Sequence, residues 1–474
     1  MEDPRAAHRY LGSISDLANH PFSGPPSGEQ DKLLWALFGT IRHFFGDWTG
    51  LFSDVTDRRS PKKITYPLAA LGFTGTLMFL CHLGARRQIG PQLYTLSSAA
   101  TFKTLFGVDS IPHGDTLNDA FKICDPAEFQ QVVCSMVRNL IRKKVLYSCR
   151  VLDKYFVVAV DGTGTVTYST RHCPHCLTQT HNGKTIYYHK VLEAKLVGPN
   201  GFAFSLMSEF IENPGEKPER QDCELKAFYR LAPRLKATFP RLPLLLTLDG
   251  LYACGPVFHI CANHEWGFMI VLTDKDLPSV NEEFHALSAL QLGNRLSFRT
   301  GKNRQISQEF RWADQILYTD SENRDHSLQV IECTETKHDK QGRPSRSTWR
   351  WITNFRVSKA NVIALANDGG RRRWTIENQG FNAQKTGGYR LEHAYTTDPN
   401  AAKIFYYLLQ IAHIIDQLLY YGSLLGKTRR KALGTLKNLA CRLLEAWRNT
   451  PFSDAHIDQI MHWRFQIRFC PDTS

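Results

Sequence analysis

The chain has 474 residues, with 58 Lys plus Arg against 45 Asp plus Glu and a formal net charge of +13. That length excludes a single hydrophobic core of ordinary size and requires flanking helical regions or an inserted module, while so basic a balance favours a polyanionic partner such as DNA, RNA or an anionic membrane. The twelve cysteines are scattered, which argues against a disulfide framework and for a reducing cytoplasm.

In chain order, residues 1–30 are polar and rich in Gly, Pro and Ser around Pro21 to Gly28, and read as a disordered tail unable to bury enough surface to order itself. No charged and apolar leader with a small-residue cleavage site opens the chain. Residues 31–151 read as a helical N-terminal region, because Leu33, Leu34, Leu37 and Ile41, then Phe129, Val132, Val133, Met136 and Leu140, recur at helical spacing; its basic clusters Arg58-Arg59, Lys62-Lys63 and Arg142 to Lys144 make it the expected DNA-binding region. The most apolar stretch, Tyr66 to Gly84, is interrupted by Pro67, Gly72, Gly75 and His82 and reads as a buried helix, so no membrane span is expected.

The texture then changes. Tyr155 to Val160 is a short β-branched and aromatic run ending at Asp161-Gly162, which predicts a buried strand closing in a turn. Strands follow over Ile186 to Val197 and Phe202 to Ile211, then a helix from Gln221 to about Thr238 with a kink at Pro233. The apolar strand Leu244 to Leu248 ends at Asp249-Gly250, and a short helix about Gly255 to Ala262 and a strand Gly267 to Leu272 complete a mixed α/β core over residues 152–272 and 354–398.

Residues 273–353 alternate polar and apolar positions in Phe310 to Tyr318, Leu328 to Cys333 and Thr348 to Ile352, and read as a β-rich insertion. Its Trp312, Trp349 and Trp351 either stack on a displaced base or simply pack the module. From Ala360 the chain is helical again. The region 399–474 holds one long amphipathic helix, marked by Ile404, Leu408, Ile411, Ile414 and Leu418, and another at Leu436, Leu439 and Leu443.

Asp161 and Asp249 each follow an apolar run and precede a Gly, a placement that exposes carboxylates at one edge of a sheet. A third carboxylate, Glu377, lies in a helical segment from Arg371 to Lys385, with Arg373 one turn before it on an ideal helix. Three hard oxygen donors around two divalent cations about 4 Å apart suit in-line phosphodiester chemistry, with Mg2+ or Mn2+ as the expected ions.

These residues carry a family resemblance. Trp351 to Asn354, the run Arg373 to Asn382 (Arg-Trp-Thr-Ile-Glu-Asn-Gln-Gly-Phe-Asn), Arg220 to Glu224, Leu248 to Tyr252, Gly388 to His393 and the two strand-borne aspartates resemble bacterial insertion-sequence transposases with a DDE triad, over about Ile111 to Leu425. The resemblance implies an α/β ribonuclease-H-like core, a β-rich insertion before the helix bearing the Glu, and helical N- and C-terminal regions. It implies catalytic and metal-holding roles for Asp161, Asp249 and Glu377, and DNA contacts by Arg373 and Lys385, with Arg371 and Arg372 beside them. Its partners would be double-stranded DNA, as transposon ends and target, and a second copy of the chain in a homodimer, in the nucleoid-associated cytoplasm of a bacterium. The chain departs from the pattern where the family has a Tyr three residues before the Arg and a Lys seven residues after the Glu: here stand Gly370 and Gln384. Lys385 falls about 80° round an ideal helix from Glu377. A ribonuclease-H-like nuclease without strand transfer, and an inactive DNA-binding relic, are the alternative functions.

Between the first two carboxylates lies His172-Cys-Pro-His-Cys176, with His181 and His189 downstream. Cys173 and Cys176 have the spacing of two corners of a structural Zn2+ site, but no second paired motif follows, so a metal-free loop with reduced thiols stays open. Redox catalysis is not expected, because the motif lies in a turn-rich loop and does not open a helix.

Overall fold

The computed structural model describes residues 29–216, 218–301, 305–339 and 341–469. The tail assigned to residues 1–30 lies outside these, except for Glu29 and Gln30, which already belong to a first helix, Glu29–Phe45.

Among the described residues, eleven strands share one sheet: β1 (Arg150–Val151), β2 (Tyr155–Tyr168), β3 (Leu177–His181), β4 (Lys184–Val197), β5 (Ala203–Ile211), β6 (Leu244–Leu248), β7 (Gly267–Val271), β8 (Arg295–Thr300), β9 (Ile306–Thr319), β10 (Asp325–His338) and β11 (Pro344–Thr353). The order is β3-β4-β2-β6-β7-β11-β10-β9-β8, with β1 pairing β2 and β5 pairing β4. Only β2-β6 and β6-β7 are parallel, and the helices Glu224–Thr238 and Gly255–Asn263 make the crossovers that parallel pairing requires. The architecture is therefore mixed α/β, as the sequence pattern implies. The strands of the expected β-rich insertion continue this sheet, because β11 pairs with β7 through Trp351, Ile352 and Thr353.

Both faces of the sheet are covered, which explains the unbroken apolar runs in β2 and β6. Val158, Val160, Leu244 and Leu246 join one apolar cluster, and the alternating residues Val157, Ala159 and Leu245 join another. Strand periodicity assigns these to opposite faces. The second cluster is closed by residues 357–386, including Val362, Leu365, Ile376 and Phe381. The first extends into the helical regions, where Leu68–Leu80 and Pro126–Arg142 pack against the 23-residue helix Pro399–Tyr421. Tyr66 to Gly84 thus contains the buried helix read from sequence, and among the described residues no helix is long and apolar enough to cross a membrane.

The sheet departs from the sequence expectation at Asp161. β2 does not end there but runs on to Tyr168, paired antiparallel with β4, so Gly162 is a strand residue rather than a turn. In the insertion, Trp312 and Trp351 are buried and Arg371 lies over the Trp349 ring at 4.1 Å, which is the packing role. The segment around Glu377 is helical but not one ideal helix: π turns at Ala364–Gly369 and Ile376–Phe381 flank a 3-10 turn at Gly370–Arg373, and a short α-helix follows at Asn382–Thr386. Angular offsets reckoned at 3.6 residues per turn, including that of Lys385 from Glu377, therefore do not hold there.

Candidate active site

The parallel pairing of β2 with β6 runs Phe156↔Leu244 to Ala159↔Thr247. Two residues further on come Asp161, still within β2, and Asp249, the first residue past the end of β6, so the register brings both to one edge, from which β2 continues paired with β4 alone. Alternation puts both side chains on the face covered by residues 357–386. Asp249 caps the turn Gly250–Tyr252 by accepting a hydrogen bond from Leu251 N at 3.0 Å, and Asp161 accepts one from Gly162 N at 2.8 Å.

The covering segment is fastened at the same edge. Thr247 Oγ1 donates to the Gly370 carbonyl at 3.3 Å, and Arg373 Nη1 reaches Asp161 Oδ2 at 3.3 Å. Gly370 admits the approach: a Cβ there would stand 2.6 Å from Trp351 Nε1. One turn beyond Arg373, Glu377 is half-buried, and its carboxylate has no hydrogen-bond or ion-pair partner among the described residues. Glu377 is not among the charges that shift either aspartate.

On the opposite face of the same edge is a group that sequence reasoning did not single out. Glu224, first residue of its helix, pairs with Lys190 of β4 and lies 3.5 Å from the Tyr252 hydroxyl. Its carboxylate occupies the space beside Gly162, where a Cβ would be 2.5 Å from Glu224 Cδ. The glycine after Asp161 is thus required by a close approach, not by a turn. Glu224 and Tyr252 close the stretches Arg220 to Glu224 and Leu248 to Tyr252, but nothing in one dimension places them beside Asp161.

Burial pushes Asp161 up to about 6; Arg373 opposes the rise, and the charges of Asp249 and Glu224 reinforce it. Asp249 is raised for the same reason, with Arg373 opposing. Tyr252, buried beside all three carboxylates, is held well above its ordinary range. Crowded carboxylates that resist ionisation together form a site whose charge a divalent cation would relieve.

The remaining basic residues have local partners. Arg371 pairs with buried Glu335 at 2.7 Å, Arg372 with Asp368 at 2.7 Å and Lys385 with Glu392 at 2.9 Å. Arg373 is the one of these four that reaches the carboxylates, and its Nε is buried without a hydrogen-bond partner.

Cys173 and Cys176 meet His172 and His189 at the far end of the paired strands β2 and β4, with all four donor atoms within 4.8 Å of one another. His181, at the end of β3, stays exposed and outside this group. No family model matches the chain, and no curated protein matches it significantly.

Proposed function

We propose that the chain is a DNA transposase of the insertion-sequence type, with a ribonuclease-H-like core that cleaves at transposon ends and transfers the freed strand into target DNA. The observation that carries this reading is that the parallel register of β2 and β6 leads Asp161 and Asp249 to the same edge of the sheet, on the face covered by the segment that bears Glu377. Two features of the fold support it: the order β5-β4-β2-β6-β7, and a β-rich stretch lying between β7 and that segment.

Asp161, Asp249 and Glu377 are the residues that would hold Mg2+ or Mn2+, as two ions. Their fit rests on hard oxygen donors, on the burial that, with smaller help from the charges of Asp249 and Glu224, holds the Asp161 carboxyl high, and on a Glu377 carboxylate with no protein partner. When bound, such ions would supply Lewis-acid activation of the phosphodiester and neutralise charge on the leaving oxygen. Arg373 holds Asp161 in place through Nη1 and brings a positive charge to the edge where a phosphate would sit. Double-stranded DNA is the substrate, and a homodimer would bring two ends together.

The test is an assay of purified protein with Mg2+ or Mn2+ and DNA bearing the ends of the element that encodes it, beside Asp249→Ala. Joined products that vanish in the variant support the proposal. Cleavage without joining favours a nuclease, and activity retained by the variant refutes the site.

A further inference from the structure

We propose that His172, Cys173, Cys176 and His189 form a closed Cys2His2 site for one structural Zn2+, which clamps the paired strands β2 and β4 beyond the carboxylate edge. A tetrahedral zinc ion with Zn–S near 2.3 Å and Zn–N near 2.0–2.1 Å sets its ligand atoms about 3.3–3.8 Å apart. Here Cys173 Sγ is 3.5 Å from Cys176 Sγ and 3.4 Å from His189 Nε2, while Cys176 Sγ is 3.3 Å from His172 Nδ1 and 3.5 Å from His189 Nε2. Both cysteines are free. Four soft or borderline donors, two of them thiols and four of their six separations in the tetrahedral range, select zinc over the hard ions suited to the carboxylates. Four protein ligands leave no open position, so the site is structural rather than catalytic.

The surroundings are built to hold these ligands. Asn213 Nδ2 donates to the Cys176 carbonyl at 2.9 Å, and its carbonyl meets His175 Nδ1 at 3.0 Å. Its backbone N–H returns a hydrogen bond to the His175 carbonyl at 3.2 Å. Such outer partners fix the loop that presents the ligands.

The position also explains why a clamp is needed. His189 is the residue of β4 at which the outer partner strand changes, from β3 at Tyr188 to β5 at Lys190. On the other side β2 breaks register between Gly164 and Val166, just where Val166 faces His189. Strand pairing is weakest at such a junction. A zinc ion there ties both strands and the loop together, next to Lys190 and its pair with Glu224. This proposal does not depend on the carboxylates acting on DNA.

The experiment uses the full chain, expressed with Zn2+ supplied and purified without chelator. We expect one zinc per chain by elemental analysis, and reconstitution of the stripped protein with Co2+ should give the intense visible bands of a tetrahedral thiolate site. Cys176→Ser and His189→Gln should lose the zinc, whereas His181→Gln and the ligand-preserving His172→Cys should retain it. In hydrogen exchange, removing the metal should expose amides over residues 165–190 and leave β6 and β7 protected. Absence of zinc from the wild-type protein, an octahedral Co2+ spectrum, or zinc retained by both ligand variants would each overturn the assignment. The Co2+ spectrum is read on the wild type, so it decides the matter even if a variant fails to fold.

Discussion

Arg373 stands 212 positions from Asp161 in the chain, and its guanidinium Nη1 is 3.3 Å from Asp161 Oδ2. The pair ties the segment carrying Glu377 to the sheet edge carrying Asp161. If it orders the site for chemistry, Arg373→Ala should lower strand joining by on the order of a hundredfold, the usual scale for losing one preorganised donor at a reacting phosphate or carbonyl. Because the pair is not fully buried, stability should fall by only about 1 kcal/mol. A single-turnover joining assay beside a urea titration checks both. A large stability loss that accounts for the lost activity would assign Arg373 to folding alone.

Glu224 makes a separate prediction. Its charge helps hold Asp161 and Asp249 above their ordinary range, so it also deepens the negative potential that would attract a divalent ion. Glu224→Gln keeps the side chain's size beside Gly162 and removes that charge. The Mn2+ concentration giving half-maximal cleavage should rise on the order of tenfold, as expected for one unit charge at moderate distance and an effective dielectric constant near 20. An unchanged Mn2+ requirement would mean that Glu224 serves only as the partner of Lys190.

What the sequence made legible follows from periodicity. The runs Tyr155 to Val160 and Leu244 to Leu248 are apolar at every position because both faces of β2 and β6 are covered, and such runs announce themselves. The carboxylates that follow them could therefore be singled out. The unbroken run of β2 through Asp161 was hidden because Asp161 is followed by two glycines, at 162 and 164, so the stretch mimics a turn. Glu224 and Lys190 were hidden for a different reason, and His189, though noted downstream of the cysteines, could not be told from His181 as a ligand. Each belongs to its cluster only through strand register or helix docking, which no local pattern encodes. The helix Pro278–Leu290 was likewise absent from the sequence reading, although Val280, Phe284 and Leu287 recur at helical spacing, because the alternating strands that follow set the reading of the whole stretch.

Within the core, Glu193 and Lys195 are both fully buried and pair at 3.2 Å. Glu193 also accepts from Ser205, Ser208 and Tyr406 hydroxyls, and Lys195 donates to Gln410 Oε1 at 2.7 Å. Gln384, just after the Glu377 segment, donates to the same Gln410 oxygen at 2.8 Å. The network thus locks that segment between β4 and the long helix. Lys195→Met should cost about 3–5 kcal/mol, because it strands a buried carboxylate. The double variant Glu193→Gln, Lys195→Met should recover part of that loss. Denaturant titrations of the two variants decide it, and equal losses would show that Lys195 matters by its volume and not its charge.

The last prediction concerns Asp416, in the long helix and only 2 % exposed. Burial pushes its carboxyl up to about 8, although the Tyr389 hydroxyl, donating to it at 2.5 Å, pulls the other way. An aspartate in the unfolded chain titrates near 3.9. Between roughly pH 4 and pH 8 the folded chain therefore holds a proton that the unfolded chain has lost, and each unit of rising pH removes up to about 1.4 kcal/mol of stability. The contribution is complete below the unfolded value and gone once pH passes the folded one. His413, one turn away and buried, is held well below its ordinary range and acts in the opposite sense as pH falls, so the wild-type curve alone would blend the two. Asp416→Asn keeps an acceptor for Tyr389 and removes only the carboxyl titration. Wild type should lose stability relative to Asp416→Asn as pH rises from 5 to 8, measured by denaturant titration at each pH. A difference between the two proteins that stays flat across this range would mean that Asp416 is ionised in the fold, and that the Tyr389 hydrogen bond compensates for its burial.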